Sequence, residues 1–335
     1  MQKKYFSAYF SAAVFLVLIL DSRTVLSGAK DGISLCLQVV IPSLFPFFIL
    51  STLITNSISG SHLRFLSPIG RFCGIPKGSE AFLILGYLGG YPVGAKSVSN
   101  AYQEKKISRC DAERMIGFCN NPGPAFIFGM AATLFDSIAV AWILWVINIA
   151  ASLLTGFLLP YKSTTSCQVI EEKSIRITDA LNKSIHIMAS VCGWVVVFRI
   201  VIAIFKRSFL YMLPIDLQIA IIGILELSNG CCFLTDILSE SQRFVFCSAF
   251  LTFGGLCVTM QTASVISDLR LSMYMRSKML QTLIGTMLAL ILQPIVFHTQ
   301  IPKITYLIVP VFLLFTLCIS LRKKEWKSSS KCSTI

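Results

Sequence analysis

Apolar residues fall in ten long runs, at roughly 5–22, 32–58, 81–101, 115–135, 137–160, 184–205, 213–235, 244–266, 279–298 and 304–321. Several are long enough to carry a helix across ~30 Å of hydrocarbon, which takes about 20 residues. The polar connections between them are short, the longest about twenty residues, which leaves no room for a soluble domain of ordinary size. The pattern predicts an all-α polytopic membrane protein. The tail from Arg322 to Ile335 is basic and polar and reads as solvated.

Two of the ten runs are interrupted. AFLILGYLGGYPVGAKSVSNA (81–101) holds Gly86, Gly89, Gly90, Pro92 and Gly94, with Lys96 just beyond. LPIDLQIAIIGILELSNGCCFLT (213–235) holds Gly223, Glu226, Ser228, Asn229 and Gly230. Glycine and proline free backbone groups that hydrocarbon cannot satisfy, so such a stretch must be wrapped by protein or line a wet cavity. Both are read as re-entrant hairpins. With the hairpins and a cytoplasmic N-terminus, 21 of the 29 Lys and Arg fall on the inner side and six on the outer; with both segments crossing fully the split is 15 to 12. Basic residues collect in cytoplasmic loops, so the hairpin topology is preferred. It gives about eight transmembrane helices plus two re-entrant hairpins, with both termini in the cytoplasm.

The breaks repeat. Gly86 to Gly94 can be laid over Gly223 to Cys231, and GFCNNPGPAF (117–126) over AFLTFGGLCV (249–258), which sets Pro122-Gly123 on Gly254-Gly255. The span 32–58 then matches 179–205. Each unit has three crossings, so the second is inverted relative to the first, the architecture of secondary transporters. The boundaries expected are 1–30 for an N-terminal transmembrane helix, 31–160 and 161–300 for the two units, and 301–335 for a last helix and tail. Ser27-Gly28-Ala29 could serve as a signal-peptide cleavage site; a retained first span is the preferred reading, because the next apolar run follows almost at once. Between the first unit's early segments, 59–80 carries Leu63, Phe65, Leu66, Ile69 and Phe72 on one helical face and reads as an interfacial helix.

Composition sharpens the picture. Hydrophobic residues make up 55% and charged residues only 13%, with a mean hydropathy of +0.75. Soluble domains carry about 25% charged residues, so a water-soluble globule is excluded. The net charge of +13 belongs with cytoplasmic loops and anionic headgroups rather than with nucleic acid. Most of the twelve cysteines lie in apolar runs, there is no CxxC, and the three histidines are far apart; neither thiol chemistry, a metal nor a cofactor is expected.

The chemistry-bearing residues sit at the breaks. Asn120-Asn121-Pro122-Gly123-Pro124 must unwind a helix, and its amides can both donate and accept toward an uncharged polar solute; a kink with self-paired amides is the plain alternative. Lys96 could neutralise a substrate, pair with Glu226, or reach the inner headgroups. Glu226 stands alone as a carboxylate in mid-run, suited to proton coupling, Na⁺ ligation or substrate binding, or to a permanent pair with Lys96 or Arg199. The candidate solute-binding set is Tyr91, Gly94, Lys96, Asn120, Asn121, Gly123, Glu226, Asn229, Thr252 and Gln261. No HExxH, paired aspartate or Ser/His arrangement supports an enzyme.

The blocks IPSLFPFFILSTLI (41–54), ILGYLGGYPVGAKSVS (84–99) and ERMIGFCNNPGPAFIFGM (113–130) resemble the sporulation integral membrane protein YlbJ family. That family carries the nucleoside-recognition "Gate" domain, shared with the spore maturation proteins and related to concentrative nucleoside transporters. The resemblance implies a multi-pass protein of the cytoplasmic membrane with a role in spore cortex or envelope development. A small polar solute, a nucleoside or a spore metabolite, with H⁺ or Na⁺ as coupling ion, is the ligand expected; a non-transporting scaffold for envelope assembly is the alternative. The oligomeric state is left open.

Overall fold

The computed structural model describes residues 18–58, 64–160, 176–234, 237–266 and 268–298. All regular structure among them is helical. The first predicted crossing falls almost wholly outside the described residues, and the last, 304–321, entirely so.

The chain enters on α1 (Ser22–Leu35), passes through a π-helical turn at Cys36–Val40, and continues as α2 (Ile41–Ile58). Pro42 and Pro46 lack the N–H that would bond back along the helix, and a π turn with a bend accommodates the loss. The two arms bend by 55°. The stretch 23–31, expected as an outer connection, is therefore helix, and the expected boundary at residue 30 falls inside α1. The reason is packing. Gly28 and Gly32 seat α1 against the backbone of α9 (Ile177–Ser208) at Val196 and Ile200, the close approach that small residues four apart allow. Arg207 of α9 closes this crossing by donating to Asp21 Oδ1 at 2.7 Å and Thr24 Oγ1 at 2.8 Å.

After a short α3 (Ser67–Cys73), whose Pro68 sits harmlessly in the first turn, the first interrupted run forms α4 (Ala81–Leu88) and α5 (Val93–Gln103). The interfacial segment expected over 59–80 is helical only at Arg64–Leu66 and Ser67–Cys73 among its described residues, with Phe65, Ile69 and Phe72 exposed. The chain reverses at Gly89–Pro92, where Gly90 has φ +72°. The next run breaks into α6 (Arg109–Cys119) and α7 (Pro124–Phe135) around Asn120–Gly123, and α8 (Ile138–Leu158) follows.

The order recurs after α9. The second interrupted run forms α10 (Ile215–Leu225) and α11 (Leu227–Phe233), turning at Glu226 alone. α12 (Glu240–Phe253) and α13 (Gly255–Val265) are parted by Gly254, and α14 (Leu271–Phe297) closes the described chain. Gly254 and Gly255 have φ of +85° and +79°, values that glycine alone adopts freely.

Four helical stretches among the described residues are long and apolar enough to cross a membrane: α8, α9, α12 with α13, and α14; the bent α1–α2 pair is a fifth candidate. Their outer faces carry exposed apolar side chains, such as Ile138, Trp142 and Val146 on α8 and Met279, Leu283, Ile291 and Ile295 on α14. Contiguous apolar surface of this kind belongs against lipid. By contrast α4, α5, α10 and α11 are too short to cross singly, since eleven residues rise only about 16 Å.

Each broken helix carries an Arg in its first turn or so that reaches the other half next to its last long helix. Arg109 of α6 donates to the Asp268 carbonyl at 2.6 Å and pairs with Glu113, which also accepts from the Arg270 N–H at 3.1 Å. Arg243 of α12 donates to the Leu134 carbonyl at 2.8 Å and lies over the Phe135 ring.

Candidate functional site

The two halves meet at their breaks. At the first, the Cys119 carbonyl, freed where α6 ends, is received between Gly86 of α4 and Gly94 of α5; an added Cβ at either position would fall inside that oxygen. Gly94 is thus a packing residue that seats the first hairpin on the first break. At the hairpin tip, Gly90 lies against the backbone of Gly123. The second half repeats the arrangement: Gly223 of α10 and Gly230 of α11 pack on each other and on the Phe250 ring, and Gly255 lies against the carbonyls of Ile224 and Leu225. Gly230, one residue short of the Cys231 expected from sequence, takes the position of Gly94.

The hairpin tips also reach across. Tyr91 donates to the Leu251 carbonyl at 3.1 Å and packs on Gly254; that carbonyl is available because α12 stops two residues later. The Asn120 Oδ1 accepts from the Ala95 N–H at 3.3 Å, and its amide donates to Thr262 Oγ1 of α13 at 2.9 Å. Asn120 therefore caps α5 and ties the first break to the second broken helix.

Asn121 leads to a buried polar cluster. Its amide nitrogen donates to the Phe118 carbonyl at 2.7 Å and to Ser152 of α8 at 3.2 Å. Ser152 bonds in turn to the Tyr87 hydroxyl at 2.9 Å. The Asn121 Oδ1 accepts from Gln281 at 2.8 Å and from Lys278 at 3.3 Å. Lys278, only 1% exposed, also donates to the Asn120 carbonyl at 2.6 Å and to Gln281 Oε1 at 2.9 Å, and lies 5.4 Å from the centre of the Tyr91 ring. The 21 basic residues counted on the inner side from sequence include Lys278 and Arg114, as members of cytoplasmic connections. Both are buried instead. Lys278 holds the first break, and Arg114 holds the turn after α3, donating to Gly74, Cys73 and Gly156 carbonyls.

Glu226 caps α11. One carboxylate oxygen accepts from the Ser228 N–H at 3.0 Å, the other from the Asn229 N–H at 2.7 Å and the Asn229 amide at 2.8 Å. The pair with Lys96 or Arg199 does not form: neither cation makes an ion pair with Glu226, and Lys96 sits half-exposed on α5. Thr252 is a packing residue too. It bonds back to Ser248 and Ala249 in its own helix and presses its methyl on Gly285.

A cavity of about 50 Å³ lies where these parts converge. It is lined by Tyr91 of the first tip, Pro122 and Gly123 of the first break, Glu226, Leu227 and Ser228 of the second tip, and Val258 and Gln261 of the second broken helix; Val40, Leu44, Phe126, Val191 and Val195 form the apolar wall. On this measure one water needs ~10–15 Å³, so the space holds a few heavy atoms. Of the ten residues read from sequence, Tyr91, Gly123, Glu226 and Gln261 line the cavity. Asn120, Asn121 and Asn229 support it from the next layer, and Gly94, Lys96 and Thr252 do not line it. Among the described residues no group of three or more His, Cys, Asp or Glu could hold a metal ion.

Apolar helices of spanning length around a buried polar centre define a polytopic helical membrane protein. The chain is similar to the sporulation integral membrane protein YlbJ of Bacillus subtilis (strain 168), with 26% identity over 315 residues, 79% of this chain and 76% of the relative. This agrees with the family resemblance carried by the three sequence blocks. No family model matches the chain, and no solved structure matches it.

Proposed function

We propose that this protein binds and moves a small polar solute across the cytoplasmic membrane of a sporulating cell, in the service of spore envelope development. The sporulation role follows the similarity to the sporulation integral membrane protein YlbJ. The transport role rests on one observation: a cavity lined by both hairpin tips, by the first helix break and by the second broken helix just past its own break. In this reading the two hairpins enter the bilayer from opposite faces, the two units of four elements are inverted repeats, and eight crossings leave both termini inside. Half-helix ends facing a mid-membrane cavity are the means by which such folds hold a polar solute. A nucleoside is the solute named by the resemblance.

The test is flux in proteoliposomes. Glu226→Gln and Gln261→Ala are expected to reduce uptake of the transported solute by tenfold or more, about 1.4 kcal/mol or beyond; unchanged flux in both would remove the site. Topology is tested separately by single cysteines introduced at 104–108 and at 237–239 in a cysteine-free background. The first set is expected to label from the cytoplasm only and the second from outside only. Labelling of both sets from one face would end the inverted arrangement.

A second reading, a non-transporting scaffold, is favoured by the closure of the Lys278 cluster: the side-chain nitrogens and oxygens of Asn120, Asn121, Lys278 and Gln281 are all satisfied without a ligand. It requires a stable partner in pull-downs and intact sporulation in the Glu226 and Gln261 variants.

A further inference from the structure

We infer that the occupant of the central cavity is a small organic cation, an ammonium bearing a short apolar part; this rests on the reading of the cavity as the solute site. Glu226 lines the cavity and is 3% exposed, and among the described residues its carboxylate is bonded by the N–H groups of Ser228 and Asn229 and the Asn229 amide alone. Those dipoles place about half a unit of positive charge at a helix start, which offsets only part of a full negative charge. Among the described residues no Lys, Arg or His lines the cavity. The nearby cation, Lys278, spends its donors on Asn120, Asn121 and Gln281 and is separate from the lining. A carboxylate buried at membrane depth without a cation is costly, and a positively charged occupant supplies what the protein omits.

The rest of the wall selects among cations. Tyr91 and Phe126 are aromatic members of the wall, of the residue type that attracts ammonium groups, and Val40, Leu44, Val191, Val195 and Val258 suit alkyl carbon. A bare inorganic cation would need about six or more oxygen ligands. The lining offers Glu226, Ser228 and Gln261 side-chain oxygens, while the Tyr91 hydroxyl is already committed to Leu251. A cavity that takes only a few heavy atoms fits methylammonium or ethanolamine far better than a nucleoside.

The experiment uses the full chain in nanodiscs at constant ionic strength, with thermal midpoint and calorimetry as readouts. The probes are methylammonium, ethanolamine and choline chlorides, sodium chloride, potassium chloride and uridine. Saturable binding of an ammonium probe is expected, unmatched by uridine or by either alkali ion, and weakened by about thirtyfold or more in Glu226→Gln, which loses the buried charge partner. Val195→Phe keeps the carboxylate but fills the cavity, and is expected to abolish binding; Leu44→Phe on the same wall serves if Val195→Phe does not fold. Binding of uridine or sodium but no ammonium, lost in the cavity-filling variant, overturns the charge inference and leaves the solute site standing. Ammonium binding that neither Glu226→Gln nor the filled cavity changes overturns the inference as well. No binding by any probe, together with unchanged flux in the filled variant, overturns both.

Discussion

Gly86→Ala is expected to cost about 3 kcal/mol or more and to separate the first hairpin from the first break, because the added methyl has nowhere to go. Most alanines placed in a helix help, since glycine is the poorer helix former by about 1 kcal/mol. At residue 86 the ideal Cβ would fall inside the Cys119 carbonyl oxygen, and the same oxygen bars a Cβ at Gly94. Carbonyls are main-chain atoms fixed by α6 on one side and the Asn120–Gly123 break on the other, so relief requires moving a whole element. Overpacking of this kind destabilises by 1–3 kcal/mol where side chains can yield, and by more where backbone must. The measurement is the thermal midpoint and the monodisperse yield in detergent. Gly129→Ala in α7 and Gly193→Ala in α9 are the controls, as nothing lies within 4 Å of a Cβ at either; both should be neutral or slightly stabilising. A Gly86→Ala protein that melts with the controls would show that hairpin and break do not meet as described.

The same glycines explain why so much of the fold was readable from sequence. Gly86, Gly94, Gly223 and the Gly254–Gly255 pair sit in apolar runs where a helix gains nothing from glycine, so each marks a close approach or a reversal. Asn-Asn-Pro-Gly-Pro marks a break by its missing N–H groups alone. What sequence order hid was partner choice. Glu226 looked like half of an ion pair with Lys96 because both are charges in apolar runs. The short range of a capping bond decided otherwise, since Ser228 and Asn229 are always within reach and Lys96 is on another element. Lys278 was hidden by its position at the edge of an apolar run, where snorkelling to the surface is the usual outcome. A signal was present. Tyr274, Ser277, Lys278 and Gln281 recur at helical spacing and are all buried, as are Asn148, Ser152 and Thr155 on α8. A polar stripe of period 3.6 within a spanning helix points inward, because lipid would not tolerate it.

Lys278→Met is the other change expected to have a large effect, and it weighs two opposed terms. Removing the ammonium relieves the protein of a desolvated charge, which by itself favours the variant. Against this stand three oxygens gathered about Nζ at 2.6, 2.9 and 3.3 Å: the Asn120 carbonyl, Gln281 Oε1 and Asn121 Oδ1. Methionine offers them no donor, each lost bond in a closed site costs about 1–3 kcal/mol, and water cannot readily enter a residue shell this buried. The end of α6 also loses the positive charge that complements its dipole. The oxygens outweigh the charge, and a net loss of about 3 kcal/mol is expected, with the Asn120–Gly123 break released from α14. Lys183→Met, an exposed lysine on α9, should leave the midpoint in place. Gln281→Leu added to Lys278→Met removes one stranded acceptor with its donor, so the double variant should cost less than the two single losses combined. Additive losses, or a Lys278→Met protein as stable as the parent, would mean that the break stands without this cluster and that the buried lysine holds nothing in place.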